Sequence, residues 1–223
     1  MMFNFHTHKR ARLDKEIYNF RLGKENLGEY KDGVFSVGIH PWDVESVDMD
    51  AQLIALNHAL EYENCVALGE VGLDKNCGVD FQLQKTCFQK QLAIAAKKNV
   101  KVLIIHSLKA YQEIIEAKKA DNGAFIWVLH AFNGTQQLIE QLLKHGFYFS
   151  LGSILFQPKA KLMSNLQYIP INRLFLETDD EDKDIKIIYQ QFASLTQKDI
   201  GALESQIQLN MTAVLPTITA RNF

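Results

Sequence analysis

Cys65-Val66-Ala67-Leu68-Gly69-Glu70-Val71-Gly72-Leu73-Asp74 opens as a short apolar run without helical spacing, then delivers one carboxylate, Glu70, between two glycines. Such a run reads as a buried parallel strand ending at Glu70. A charge in that place is uncommon unless it is paired or bound to a metal; the plainer alternative is a glutamate capping a turn in solvent. Repetition favours the metal. Apolar runs ending in a candidate ligand recur as Phe3 to His8, Val102 to His106, Phe125 to His130 and Leu174 to Asp179. Ligands brought together from successive strand ends are what the C-terminal face of a parallel barrel offers.

The rest of the chain supplies the alternation that a barrel needs. Ile17-Tyr18-Asn19-Phe20, Val34 to Ile39 and Phe147 to Leu151 read as further strands. Helices are expected over 50–61, 80–98, 109–119 and 135–145, with Asp80 opening the second and Thr135 capping the fourth. Leu53, Ile54, Leu56 and Leu60 mark the inner face of the first. Two more helices close the chain. One carries Ile185, Ile188, Phe192 and Leu195 on a single face; the other, capped by Asp199, carries Ile200, Leu203, Ile207, Met211 and Val214 and stops before Pro216. No full helix fits between the first two strands, across the charged residues from Lys9 to Lys15. The reading is therefore an α/β protein, a TIM-type (β/α)8 barrel with a shortened first crossover, forming one domain over 1–223. No Gly-x-Gly-x-x-Gly turn is present to support a dinucleotide fold.

Composition sets outer limits. The 223 residues are 47% hydrophobic, enough for a substantial core. A net charge of -2 lacks the strongly basic balance of a dedicated nucleic-acid binder. Cys65, Cys77 and Cys87 form no Cys-x-x-Cys pair and are too few for a disulfide framework, so free thiols and a cytoplasmic setting are expected. There is no signal-like N-terminal segment and no apolar stretch near the ~18 residues of a membrane span. No membrane association is expected, and no obligate protein partner is evident.

Alternation along the first strand puts Asn4, His6 and His8 on one side. With Glu70, His106, His130 and Asp179, four imidazoles and two carboxylates stand at strand ends. That is more than one catalytic ion needs and suits two ions bridged by a carboxylate. Glu70 is the natural bridge, with His6 and His8 on one metal and His106 and His130 on the other. Asp179 either binds the first metal or orients the attacking water as general base. Zn, Mn, Mg and Ni all suit such ligands. His40, in His40-Pro41-Trp42, either packs on Trp42 as a loop histidine or lines the site as a substrate contact. His58 and His145 fall on covering helices and are given no role.

In order, spacing and flanking residues, the chain resembles the TatD family of metal-dependent hydrolases. The matching pieces are FHTH at 5–8, GIHP at 38–41, GEVGLD at 69–74, IHS at 105–107, HAFNG at 130–134 and ETD at 177–179. The resemblance implies an amidohydrolase-like barrel and divalent-metal ligands at His6, His8, Glu70, His106, His130 and Asp179. It further implies phosphodiester hydrolysis, typically as a deoxyribonuclease. Three departures concern the substrate. Asn4 stands where the family has Asp. Leu108 stands where it has an Arg, which removes a bidentate phosphate donor. The loop after Asp179 is short and acidic, Asp180-Glu181-Asp182, and would repel a polyanion. The substrate expected is thus a phosphodiester, DNA or something smaller. Hydrolysis of an amide, lactone or carboxylic ester, or a degenerate member that binds metal without turnover, are the alternatives.

Overall fold

The computed structural model describes residues 2–9, 15–25, 33–46 and 48–216. Eight strands are present: β1 (Asn4–Thr7), β2 (Glu16–Arg21), β3 (Val34–Gly38), β4 (Cys65–Asp74), β5 (Val102–Leu108), β6 (Ile126–Leu129), β7 (Tyr148–Leu151) and β8 (Leu174–Leu176). Strand order follows chain order. One helix follows each of β3 to β6: α1 (Met49–Ala59), α2 (Phe81–Lys97), α3 (Tyr111–Ala120) and α4 (Gln136–Lys144). Short 3-10 turns lie between β7 and β8, and α5 (Ile185–Thr196) and α6 (Ile200–Val214) close the chain. This is the TIM-type (β/α)8 topology with its first crossover cut down: β1 and β2 pair in parallel with only residues 8–15 between them. Of the charged stretch there, residues 10–14 lie outside those described.

The chain divides into two compact units, Met1–Tyr18 with Leu129–Phe223, and Asn19–Val128. In the first unit, β7 pairs with β8 in parallel, and an isolated bridge from Thr7 to Asp179 returns the last strand to the first. Phe5 stacks on Phe175 with ring centroids 4.1 Å apart, and both are buried. Tyr189 on α5 donates its hydroxyl to the carbonyl of Phe3, and burial pushes its pKa above the usual phenol range. Asn210 of α6 donates to the carbonyls of Ile171 and Leu174, so a buried amide pins the entry to β8.

In the second unit β3, β4 and β5 are parallel neighbours. Leu53, Leu56 and Ala59 of α1 and Cys87, Phe88 and Ala95 of α2 are buried. Ile54, expected on the inner face of α1, is 63% exposed, because the stripe through 53, 56 and 60 leaves 54 about a quarter-turn or more outside it. Gln91 donates to and accepts from the backbone of Ile39, fixing the exit of β3 just before His40. The largest difference from expectation lies in β4, which does not end at Glu70 but runs on to Asp74. Between Leu68 and Val71 its pairing advances three residues while β5 advances two, from Leu103 to Ile105. That extra residue is a bulge at Gly69–Glu70, and a bulge re-aims a side chain without ending the strand. All three cysteines are free thiols. Among the described residues no helix is long and apolar enough to cross a membrane.

Candidate metal centre

Within the first unit, β1, the turn after β6 and the end of β8 each contribute. His6 is fully buried on β1, and its ring lies 4.7 Å from that of His130 and 5.0 Å from that of His8. His6 Nε2 and His8 Nε2 stand 3.4 and 3.6 Å from the same oxygen, Asp179 Oδ1. The backbone sets this arrangement. Asp179 N–H donates to the His6 carbonyl and His8 N–H to the Asp179 carbonyl, with Asp179 at φ 54°. Donor atoms of His6, His130 and Asp179 all lie within 4.8 Å of one another, as do those of His8, Asp179 and Asp180.

Two residues in this unit hold ligands in place. Asn4 gives its amide N–H to Thr178 Oγ1 at 2.8 Å and accepts the Thr178 N–H at 3.0 Å. An aspartate could accept the second bond but could not donate the first, so Asn here ties β1 to the chain just past β8. Glu177 is fully buried, and its Oε1 accepts the Ala131 N–H at 2.6 Å and stands 3.6 Å from His130 Nδ1. A Cβ on Gly152 would come within 2.8 Å of the Glu177 carbonyl oxygen and 3.2 Å of its Cγ, so glycine leaves room for that side chain.

The second unit gathers Glu70, His106 and His40. Glu70 Oε1 is 2.8 Å from His106 Nδ1 and 3.0 Å from His40 Nε2, and donor atoms of the three lie within 4.8 Å of one another. Glycines make the approach possible. A Cβ on Gly72 would sit 1.9 Å from the His106 carbonyl oxygen, and one on Gly69 would sit 2.6 Å from Ile104 Cβ. The His40 tautomer follows from its partners: Trp42 N–H donates to Nδ1 at 3.2 Å, so Nδ1 is bare and Nε2–H donates to Glu70. Burial lowers the His40 pKa, outweighing the opposing pull of Glu70, and favours this neutral form.

Asp74 completes the cluster. Its Oδ2 accepts from Trp42 Nε1 at 2.6 Å and meets His106 Nε2 at 3.1 Å, while Asn76 N–H donates to Oδ1. Burial would raise the Asp74 pKa, but the hydrogen bonds from His106, Trp42 and Asn76 prevail and hold the carboxyl well below the usual range. His106 is thus gripped at both nitrogens by carboxylates.

The sequence-expected residues therefore gather as His6, His8, His130 and Asp179 in one unit and Glu70, His106 and His40 in the other. His58 is exposed on α1 and His145 caps the end of α4, apart from both clusters. Asp74, Glu177 and Trp42 were not assigned roles from sequence, though Asp74 shares the side of β4 that Glu70 faces. Imidazole nitrogens with carboxylate oxygens are a donor set that first-row divalent ions accept. Glu177 adds to the case: its second oxygen is buried with no hydrogen-bond partner among the described residues, a costly state for a carboxylate that a neighbouring cation would relieve.

Comparison with known proteins gives a consistent picture. The family model described as TatD related DNase matches residues 7–216. The chain is 27% identical to the metal-dependent hydrolase YabD of Bacillus subtilis, over 81% of this chain and 76% of that protein. It is 30% identical to the protein of Erwinia tasmaniensis named 3'-5' ssDNA/RNA exonuclease TatD, over 78% of this chain and 75% of that one. The chain spans 64% and 58% of the length of two other relatives, from Buchnera aphidicola and Escherichia coli. The crystal structure of YjjV, a TatD homologue from Escherichia coli, superimposes with a TM-score of 0.79 at 21% identity, covering 90% of this chain and 86% of that one.

Proposed function

We infer, since the chain belongs to the TatD related DNase family of metal-dependent hydrolases, that it cleaves phosphodiester bonds with two divalent ions. The observation that carries this reading is the gathering of His6, His8, His130 and Asp179 donor atoms in one unit and, within the other, the pairing of Glu70 with His106. His6 and His8 would hold one ion, and His106 and His130 the other, with Glu70 shared and Asp179 either joining the first ion or orienting the attacking water. Divalent ions, when bound there, would supply Lewis acidity toward the ester and the attacking water.

The chain's own residues do the rest. His40 holds the Glu70 carboxylate through Nε2–H, and in this reading it lines the site as a substrate contact. Asp74 fixes the His106 ring from the far nitrogen, the kind of outer support that sets ligand orientation and basicity. Asp179 Oδ1 faces two imidazoles, which suits either role, ion ligand or general base toward the attacking water. The Erwinia relative's name supports a phosphodiester substrate. Leu108 and the acids at 180–182 argue for a short or small one, since neither feature favours a long polyanion. No observation favours an amide or lactone.

The test is a substrate panel. The chain, loaded in turn with Mn²⁺, Zn²⁺, Mg²⁺ and Ni²⁺, is assayed on dinucleotides, oligonucleotides, phosphomonoesters, lactones and amides. Turnover of phosphodiesters is expected with at least one metal. Turnover confined to lactones or amides, or none on any substrate, would overturn the reading.

A further inference from the structure

Trp42 is 50% exposed, a large apolar surface to leave in water, yet it is firmly held. Its indole N–H is bonded to Asp74 Oδ2 at 2.6 Å and its backbone N–H to His40 Nδ1. Its ring meets that of His40 at 4.7 Å and that of His106 at 5.7 Å, both nearly edge-on. The Asp74 oxygen that holds the indole also meets His106 Nε2, so a single carboxylate indexes the indole to His106 of the candidate metal centre. Leu108, 41% exposed, is the register partner of Asp74 on β5, so its side chain leaves the strand pair on the side from which Asp74 reaches the indole.

Among the described residues, the lysines nearest this surface in sequence already have partners, although Lys109 keeps its charge. Lys109 Nζ, the nearest cation in sequence to Leu108, is bonded to Asn76 Oδ1 at 2.8 Å, and Lys75 is paired with Glu113. What remains is a rigid, flat π-face edged by an aliphatic side chain beside the Glu70–His106 pair. A nucleobase matches it: every base presents a π-face, and stacking on an aromatic side chain tolerates any sequence. An aliphatic chain would gain from the apolar area but has no use for a fixed planar ring.

We propose that Trp42, edged by Leu108, is the stacking platform for the nucleobase adjoining the scissile phosphate. This rests on the phosphodiesterase reading and names its substrate as a nucleotide diester held by its base rather than by a phosphate clamp. With no arginine at 108, stacking supplies affinity that charge does not.

The chain has two tryptophans, and Trp127 is fully buried. Intrinsic fluorescence on ligand addition therefore reports on Trp42. Thymidine 5'-monophosphate should quench it saturably, and 2-deoxyribose 5-phosphate, which lacks the base, should not. In kinetics, Trp42→Leu should raise KM for a thymidine dinucleotide about tenfold or more relative to an analogue with one base removed. Trp42→Phe keeps a ring without the N–H bond to Asp74 and should restore most of that ratio. Equal quenching by both sugar phosphates, or equal KM changes on both substrates in Trp42→Leu, would overturn the platform. Failure of folded, metal-loaded wild-type protein to cleave the dinucleotide would instead overturn the phosphodiesterase reading. Base-selective quenching decides the platform in either case.

Discussion

Asp74 takes no ligand position in the expected set, yet it touches His106 and Trp42 with one oxygen and the Asn76 backbone with the other. If it orients His106 for a metal, Asp74→Asn should weaken divalent-ion affinity about ten- to a hundredfold while the protein stays folded. Competition with a chromophoric chelator measures this, and unchanged affinity would remove Asp74 from the site. His40 makes a second prediction. Its pKa is lowered mainly by burial, so the folded chain binds its proton less readily than the unfolded chain does. The stability it contributes is complete above the unfolded value of about 6.5 and falls as pH drops below it. Thermal melts from about pH 7.5 to 5.5, taken without metal, should show wild type losing more stability than His40→Gln; parallel losses would contradict the neutral assignment. His6, His8, His106 and His130 were legible in sequence because each ends or nearly ends an apolar run. Asp74 and Glu177 were not, because their partners lie on other strands and turns: Asp74 meets His106, and Glu177 meets the Ala131 N–H.

At the scale of elements, β4 carries the argument. Its glycines let β5 approach, and a Cβ at Gly72 would collide with backbone that cannot swing aside. Gly72→Ala should therefore cost about 1–3 kcal/mol or more in urea unfolding. Gly78→Ala, where a Cβ would meet nothing within 4 Å, should stay within about 0.5 kcal/mol of neutral. Similar costs at both positions would mean that the close approach at Gly72 is not what the glycine serves. Helix starts were readable because their chemistry is local: Asp80 and Asp199 accept from Leu83 N–H and Ala202 N–H, as N-caps do. Thr135 is the N-cap of α4 but makes no side-chain capping bond. The continuation of β4 past Glu70 was not readable, because one inserted residue shifts register without leaving a trace in hydrophobic period. Leu195, expected inside with Phe192, is 40% exposed near the end of α5, where periodicity no longer reports what covers the helix.

For the molecule as a whole, barrel class was legible from eight apolar strand runs with helices between the middle ones, while the source of substrate preference was not. The acids after Asp179 are only partly offset: Lys183 Nζ lies 2.5 Å from Glu181 Oε2, and Asp180 and Asp182 are exposed. Neutralising all three, as Asp180→Asn, Glu181→Gln and Asp182→Asn together, should raise turnover of oligonucleotides more than of a small diester, and added salt should shrink the gain. An unchanged ratio would show that these acids do not face the substrate path. All of this presupposes that the gathered imidazoles and carboxylates hold metal. The most direct measurement is elemental analysis of the folded chain after reconstitution with Mn²⁺ or Zn²⁺ and removal of excess ion. About two ions per chain are predicted, and folded protein retaining essentially none would contradict the account.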